Sequence, residues 1–400
     1  MSVAERRAHR IASDAEALEV AAAQAAALAE GAAERDAQRR LPHAELEALS
    51  ASGLLAITVP AGHGGAEVSA RTLAQVVRLL AAGDPSVAQI PQSHFVYLNV
   101  VKAQGTPAQQ AFFFGEVLAG RRLGNAQSEA RTKHVQDIRT RLTRGDGGDG
   151  YVLDGVKQYA TGALFAHWIP VLAKGDADEL LVAIVEAGAP GVEVIDDWDG
   201  LGQRTTASGT VRLDSVAVAA DRVFPHHLTF AGPQLHGAQA QLLHAAIDVG
   251  IADAALAEAV AFVQENSRPW FEAGVERAAD DPLLAQRFGE LALAQRAAGA
   301  LLDVAADAVD AALAQTTDDT TAGASIAVAT AKVAADRAAI ELTNALFEVS
   351  GTRSALASLG LDRHWRNART HTLHDPVRWK LQHVGRYVLN GTPPPRHGLL

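Results

Sequence analysis

The sequence predicts an α+β protein in three parts: a helical domain at residues 1–118, a central β domain at 119–225 and a C-terminal helical bundle at 226–400. Three observations predict it. The 400 residues exceed one ordinary core, since a domain holds roughly 150 residues. Apolar residues recur at three- and four-residue spacing toward both ends, whereas between about Leu123 and Phe224 the period falls to two. Gly, Asp and Pro clusters punctuate the stretches between.

From Ser13 to Leu118, Ala-rich segments with periodic Leu and Val are broken at Leu41-Pro42, Val59-Pro60-Ala61-Gly62 and Gly83-Asp84-Pro85, which predicts several short helices. In the middle, Tyr151 to Asp154, His167 to Leu172, Leu180 to Val185, Gly191 to Ile195 and Thr210 to Val218 read as strands of one compact unit. Long helical patterns then cover 236–266, 281–315 and 321–350. A last helix opens near Asp375-Pro376, because proline is tolerated in a first helical turn. Four antiparallel rods make a four-helix bundle. No internal repeat is evident.

Composition excludes several classes. With 35 Lys+Arg against 46 Asp+Glu, the formal charge is −11, the wrong sign for tracking a phosphate backbone, so no nucleic-acid partner is expected. The absence of cysteine rules out disulfides, a thiolate nucleophile, cysteine-bound zinc and iron–sulfur clusters. Apolar stretches such as 242–263 carry acidic residues and helical periodicity, so no membrane span is expected. The opening MSVAERRAHRIASDAEALEV has no signal-peptide core, which points to a cytoplasmic protein. One Met and no Cys stand where ordinary usage gives on the order of a dozen sulfur-containing residues. That depletion fits either an Ala-rich bias or a protein made when sulfur is scarce.

A GxGxxG occurs at Gly145, Gly147 and Gly150, but among aspartates and leading into a strand, so it reads as a hairpin turn and not a dinucleotide loop. No GxxxxGK[ST], HExxH or GxSxG is present. The densest polar stretch holds Arg366, Asn367, Arg369, His371, His374 and Asp375, too many to bury without a bound partner. By residue type alone, the two histidines are compatible with metal ligation or with a satisfied core. The bundle has no Glu-x-x-His to complete a di-metal site, so no metal is expected. Arg268, in Asn266-Ser267-Arg268-Pro269-Trp270, lies at a helix end, where a guanidinium suits a phosphate if a cofactor tail passes.

The domain order and several motifs together resemble the acyl-CoA dehydrogenase fold over essentially the whole chain. The nearest likeness is to its flavin-dependent monooxygenase branch, typified by dibenzothiophene monooxygenase and sulfur-acquisition oxidoreductases. Leu123-Gly124-Asn125-Ala126-Gln127-Ser128-Glu129-Ala130 is similar to the segment that opens the dehydrogenases' β domain and holds the flavin ring. Lys157-Gln158-Tyr159-Ala160-Thr161-Gly162 resembles their Lys-x-Trp-x-Thr, whose aromatic covers the ring and whose hydroxyl reaches N5. Trp198 to Arg204 resembles the monooxygenases' second flavin-side loop. Most specific is Arg366-Asn367-Ala368-Arg369-Thr370-His371-Thr372-Leu373-His374-Asp375-Pro376, similar to that branch. There Asp375-Pro376 replaces the Glu-Gly that carries the dehydrogenases' catalytic base. The paired glycines that hold the adenine half of FAD are also missing around Phe347 to Arg353.

The resemblance implies a central antiparallel β-barrel domain, a homotetramer and FMN as cofactor, with FAD as the alternative. It implies reduced FMN from a separate reductase, O2 adding at flavin C4a to give a hydroperoxide, and oxygen transfer to a small organosulfur compound. Asn125, Ser128, Glu129, Tyr159, Thr161, Trp198, Arg268 and Arg369 are its cofactor residues. His374 is the first choice for donating to the peroxide oxygen and His94 the second, with Asn125 and Thr161 as neutral partners and His371 orienting its neighbour. The sulfur-poor composition agrees with a role in sulfur acquisition. The alternatives are an FAD-containing acyl-CoA dehydrogenase with Asp375 as base, and a non-catalytic binding protein on the same scaffold.

Overall fold

A computed structural model of the chain describes residues 8–145 and 150–400, so Gly147 of the glycine motif lies outside the described residues. The first part holds α1 (Asp14–Ala29), α2 (Ala32–Gln38), α3 (His43–Ala51), α4 (Ala70–Gly83), α5 (Pro85–Gln89), α6 (Gln92–Gln104) and α7 (Pro107–Leu118). Their starts are chemically marked. The Ser13 hydroxyl caps α1 and Ser69 caps α4 by accepting from backbone N–H groups in the first turn. Asp84 caps α5 ahead of Pro85, and Thr106 with Gln109 forms a reciprocal capping box on α7.

A seven-stranded sheet follows, made of β1 (Arg141–Arg144), β2 (Gly150–Lys157), β3 (Trp168–Lys174), β4 (Leu180–Glu186), β5 (Val192–Ile195), β6 (Thr210–Ala219) and β7 (Val223–Phe224). Its order is β5-β6-β2-β1-β3-β4-β7. Every ladder is antiparallel except β1 against β3, which pair in parallel at Arg141 and Lys174. The sheet is therefore mixed, and among the described residues no pairing joins β5 to β7, so the expected wholly antiparallel closed barrel is not what forms. The cause is local: β1 is four residues long, and β2 folds back beside it before the chain returns on its far side as β3. β3 is buried on both faces, whereas β6 alternates buried and exposed positions.

The last part has three long helices, α8 (His236–Asn266), α9 (Pro282–Ala314) and α10 (Asp318–Ser350), and two short ones, α11 (Asp362–His371) and α12 (Val377–Asn390). The fourth rod expected from Asp375-Pro376 onward is thus only 14 residues long, and α11 precedes it as a separate helix after Gly360. α8 is buried nearly all round through its first half, the pattern of a helix at the centre of a domain. At Gly250 a Cβ would lie 2.4 Å from the Arg78 carbonyl oxygen, so glycine lets α8 and α4 touch. One apolar core spans both helical parts and a smaller one fills the sheet. Among the described residues no helix is long and apolar enough to cross a membrane.

Candidate active site

The segment carrying Asn125 runs beside β3: Gly124 N–H donates to the Trp168 carbonyl at 2.8 Å and Ala126 N–H to that of Pro170 at 3.0 Å. The Asn125 amide oxygen lies 3.5 Å from the hydroxyl of buried Tyr97. Glu129 is consumed by structure, accepting from Lys157 Nζ at 2.7 Å, from the Thr140 hydroxyl at 2.7 Å and from the Arg139 backbone at 2.9 Å. Burial alone would raise its pKa, but the Lys157 and Thr140 bonds prevail and hold it below the ordinary value. Burial pushes Lys157 down to about 8. Glu129 is therefore placed as a strut beneath the Ser128 loop. The carbonyl of Ser128 accepts from Gln158 N–H at 2.9 Å, while its hydroxyl makes no hydrogen bond among the described residues.

Tyr159 sits at φ +56, a conformation costly for a non-glycine residue, and its ring is 58 % exposed, edge-on to Trp198 at 6.4 Å. Two residues on, the Thr161 hydroxyl bonds Ser208 Oγ at 2.7 Å, Ser208 bonds Thr206 Oγ1 at 2.7 Å, and Thr206 donates to the Gln203 carbonyl at 2.9 Å. That carbonyl also accepts from Trp198 Nε1 at 2.8 Å. The loop docks on α11, with Gly202 N–H donating to Thr370 Oγ1 at 2.9 Å and Gln203 N–H to Asn367 Oδ1 at 2.7 Å. Arg366 is held by Asp36 and by Asp362 at 2.7 Å, so it serves as a strut. Gln203 is 2 % exposed, yet neither atom of its side-chain amide has a partner.

Beyond α11 lies a buried cluster. Asp248 on α8 accepts from His371 Nδ1 at 2.5 Å through one oxygen and from Lys332 Nζ on α10 at 2.8 Å through the other. Lys332 also pairs with Asp336, one turn further along α10. His244, one turn before Asp248, lies with Nδ1 3.1 Å from His371 Nε2, and its ring is 3.9 Å from that of His374, centroid to centroid. His374 is 37 % exposed, and its Nδ1 is 3.2 Å from Asp375 Oδ1. Asp375 is buried against Lys380 at 2.8 Å. Burial opposes its charge, but His374 and Lys380 hold its pKa well below the carboxylate range. Burial likewise pushes His244 and His371 below the ordinary histidine value, the first helped by the cationic edges around it and the second only partly offset by Asp248. Burial and the adjacent Asp248 push Asp336 up, whereas Asp248 itself is held down against burial by His371 and Lys332.

The structure links Thr161 and Trp198, and Tyr159 through its ring contact with Trp198, to the Gln203 loop, which docks on α11, the helix that ends at His371. It does not bring His94 to them as a donor. His94 is 1 % exposed, accepts from Leu123 N–H at 3.0 Å through Nδ1 and lies 2.8 Å from the Leu55 carbonyl through Nε2. Both nitrogens are occupied by backbone, so its expected proton-donating role is corrected to that of anchoring the segment that carries Asn125. Arg268 is exposed in the turn after α8, and Arg369 is half-buried on α11; neither has an ion-pair partner among the described residues. His244, Asp248, Lys332, Ser208 and Gln203 were not singled out from sequence. The available signal was polar residues four apart, His244 with Asp248 and Lys332 with Asp336, inside otherwise apolar helices. Among the described residues no group of three or more metal-ligating side chains is placed to hold an ion.

The unpartnered hydroxyl and amide groups, the two open aromatic rings and the two unpaired guanidinium groups suit an uncharged polar ring with an anionic tail. Family models described as acyl-CoA dehydrogenase N-terminal, middle and C-terminal domains match residues 14–121, 127–216 and 206–379. The chain is 34 % identical over 386 residues to a probable FMNH2-dependent monooxygenase, SfnC, of Pseudomonas putida, covering 94 % of this chain and 96 % of that protein. It superposes on FMN-bound TdsC of Paenibacillus sp. A11-2, a dibenzothiophene monooxygenase, with a TM-score of 0.91 at 32 % identity, covering 96 % of this chain and 100 % of that one. Methanesulfinate monooxygenase MsuC of Pseudomonas fluorescens superposes with a TM-score of 0.87 at 33 % identity, covering 96 % and 99 %.

Proposed function

The chain belongs to the acyl-CoA dehydrogenase family, and on that premise we propose that it is a two-component monooxygenase, using reduced FMN and O2 to oxygenate a small organosulfur compound. One observation carries the reading. The carboxylate at the position of the dehydrogenases' base, Asp375, is ion-paired with Lys380 and lies beside His374, while the Gln203 loop ties a chain of neutral hydroxyls to the helix that ends at His371. Such a site can hold and protonate a reacting oxygen, but has no free carboxylate to remove a carbon-bound proton. The monooxygenase reading is thereby favoured over an FAD-dependent dehydrogenase, and the names of TdsC and MsuC support an organosulfur substrate.

Reduced FMN would supply the oxygen activation, as its C4a-hydroperoxide. The chain's residues bind, orient and keep the site dry. Thr161, Ser128 and Asn125 offer neutral hydrogen bonds to the ring edge, and Tyr159 and Trp198 offer aromatic faces. Arg268 and Arg369 are unpaired cations for the terminal phosphate. His374 has its Nδ1 turned to Asp375, so the imidazolium form, with Asp375 as counter-charge, is the one that would donate from Nε2 to the reacting oxygen, and His371 orients the imidazole stack through His244. Reduced flavin comes from a separate reductase in the cytoplasm. Exposed Leu283, Leu293, Val388 and Leu389 on α9 and α12 support self-association, here taken as a homotetramer. Anaerobic titration with reduced FMN and reduced FAD tests the cofactor: tighter binding of reduced FMN supports the reading, and tight retention of oxidised FAD bleached by an acyl-CoA ester contradicts it.

A further inference from the structure

We propose that His244 is a second catalytic histidine, the proton acceptor of this site, presented by an Asp248–His371–His244 relay. The inference rests on the monooxygenase reading and adds a residue to it.

Asp248 is fully buried, and an ionised carboxylate there needs every lone pair engaged. Lys332 takes one oxygen at 2.8 Å and His371 Nδ1 the other at 2.5 Å. Because Asp248 carries the charge, His371 must hold its proton on Nδ1, which leaves Nε2 as an acceptor. Among the described residues the only donor facing that atom is His244 Nδ1, 3.1 Å away. His244 is therefore fixed with its proton on Nδ1. Its Nε2 is bare, makes no hydrogen bond among the described residues, and belongs to a ring stacked against half-open His374. Asp248 is thus to His371, and His371 to His244, what the acid of a hydrolytic triad is to its histidine: the tautomer is set from behind.

The two stacked imidazoles then divide the work. His374 donates from Nε2 as an imidazolium with Asp375 as counter-charge; His244 presents a lone pair and is the acceptor. A proton released by a ring N–H of the reduced cofactor, as that N–H bond breaks, would be taken at His244 Nε2, giving an imidazolium whose Nδ1 proton shifts along the hydrogen bond toward His371, with Asp248 as counter-charge. When the second oxygen atom leaves as water, the proton returns, so nothing but a proton moves and none is gained or lost. The groups facing His244 are His371 and His374 from α11 and the turn after it, Lys332 from α10, Lys380 from α12 and Asp248 from its own helix. The cationic ones keep it neutral at rest, and burial acts in the same direction.

Nitrogen-15 NMR of the histidine-labelled chain without flavin reads the tautomer, with His244→Gln identifying the resonance. The expected result is protonated Nδ1, bare Nε2 and no titration through the ordinary histidine range near about 6.5. A protonated Nε2, or ordinary titration, overturns the relay. Because Asp248→Asn removes one of the two carboxylates around buried Lys332 and can unfold the bundle, His371→Asn is the second variant: it keeps the buried ion pair but should release the His244 tautomer. In reduced-FMN turnover with dibenzothiophene, His244→Gln should lower kcat about 100-fold with KM unchanged, and a wild-type kcat overturns the catalytic role. Wild-type inactivity toward both dibenzothiophene and methanesulfinate, with no oxygen consumed from bound reduced FMN and a locked tautomer, refutes the monooxygenase and the catalytic role of His244 but not the tautomer chain; turnover with an unlocked tautomer refutes the relay alone.

Discussion

The backbone N–H of Gln203 donates to Oδ1 of Asn367 across 2.7 Å, joining a β-domain loop to the helix that carries His371. With Gly202 N–H on Thr370 Oγ1 at 2.9 Å, it sets how far the Thr161 hydroxyl chain stands from the histidine cluster.

Gly202→Ala should break that joint. A Cβ at this position would lie 2.0 Å from the Arg366 carbonyl oxygen and 2.6 Å from Asn367 N, and backbone cannot swing aside as a side-chain tip can. The loop must lift, carrying the Trp198 anchor with it. Reduced-FMN affinity should fall at least about tenfold, the loss of roughly one charge-free hydrogen bond or two, with thermal stability lowered by less than the global unfolding free energy. Wild-type affinity measured by fluorescence titration would show that the joint does not shape the site.

His374→Ala should leave the fold and flavin binding intact, since His374 is partly exposed and its one polar partner, Asp375, keeps Lys380. Oxygen uptake should continue while product falls, the missing oxidation appearing as hydrogen peroxide. An oxygen electrode with a peroxide assay reads the ratio, and unchanged coupling removes His374 from the chemistry.

Arg268→Ala should weaken FMN binding about tenfold, as expected for one charge-assisted phosphate contact, without changing kcat at saturating flavin. Arg369→Ala provides the comparison on α11. An unaltered dissociation constant in both variants would place the phosphate elsewhere.

Stability should fall in mild acid. Burial lowers His94, His167 and His236 to about 4 and His226 to about 3, against 6.5 for an ordinary histidine. Between those values the unfolded chain binds protons that the fold refuses, so the stabilisation is full above pH 6.5 and is lost as pH falls toward 4. Urea midpoints measured across that window should decline, and His94→Asn should flatten part of the slope. A flat profile would mean that these rings reach solvent.

The three-part order was legible because periodicity changes near Leu123 and again near Gln234, and because Asp84-Pro85 and Asp281-Pro282 mark helix starts chemically. The parallel pairing of Arg141 with Lys174 was not, since strand order depends on contacts distant in sequence. The separation of α11 from α12 was missed because the turn at Thr372 to Pro376 carries the same polar residues that mark the site. Asn125, Thr161 and His374 came from motif likeness. Nothing in the text around His94 tells a ring saturated by backbone from a free one. His244 and Asp248 went unread: their one signal is that they are polar residues one turn apart, and a helix buried nearly all round has no face from which to read their direction.

Oxygen transfer from O2 by reduced FMN is tested most directly by single-turnover oxygenation under 18O2 of whichever organosulfur probe the protein turns over, with dibenzothiophene the first to try because TdsC is a dibenzothiophene monooxygenase. One 18O atom is expected in the oxygenated sulfur product, with product only when reduced FMN is bound first, and the second atom in water. Unlabelled sulfur with oxidised FAD held tightly, and reduction of that flavin by an acyl-CoA ester, would contradict it.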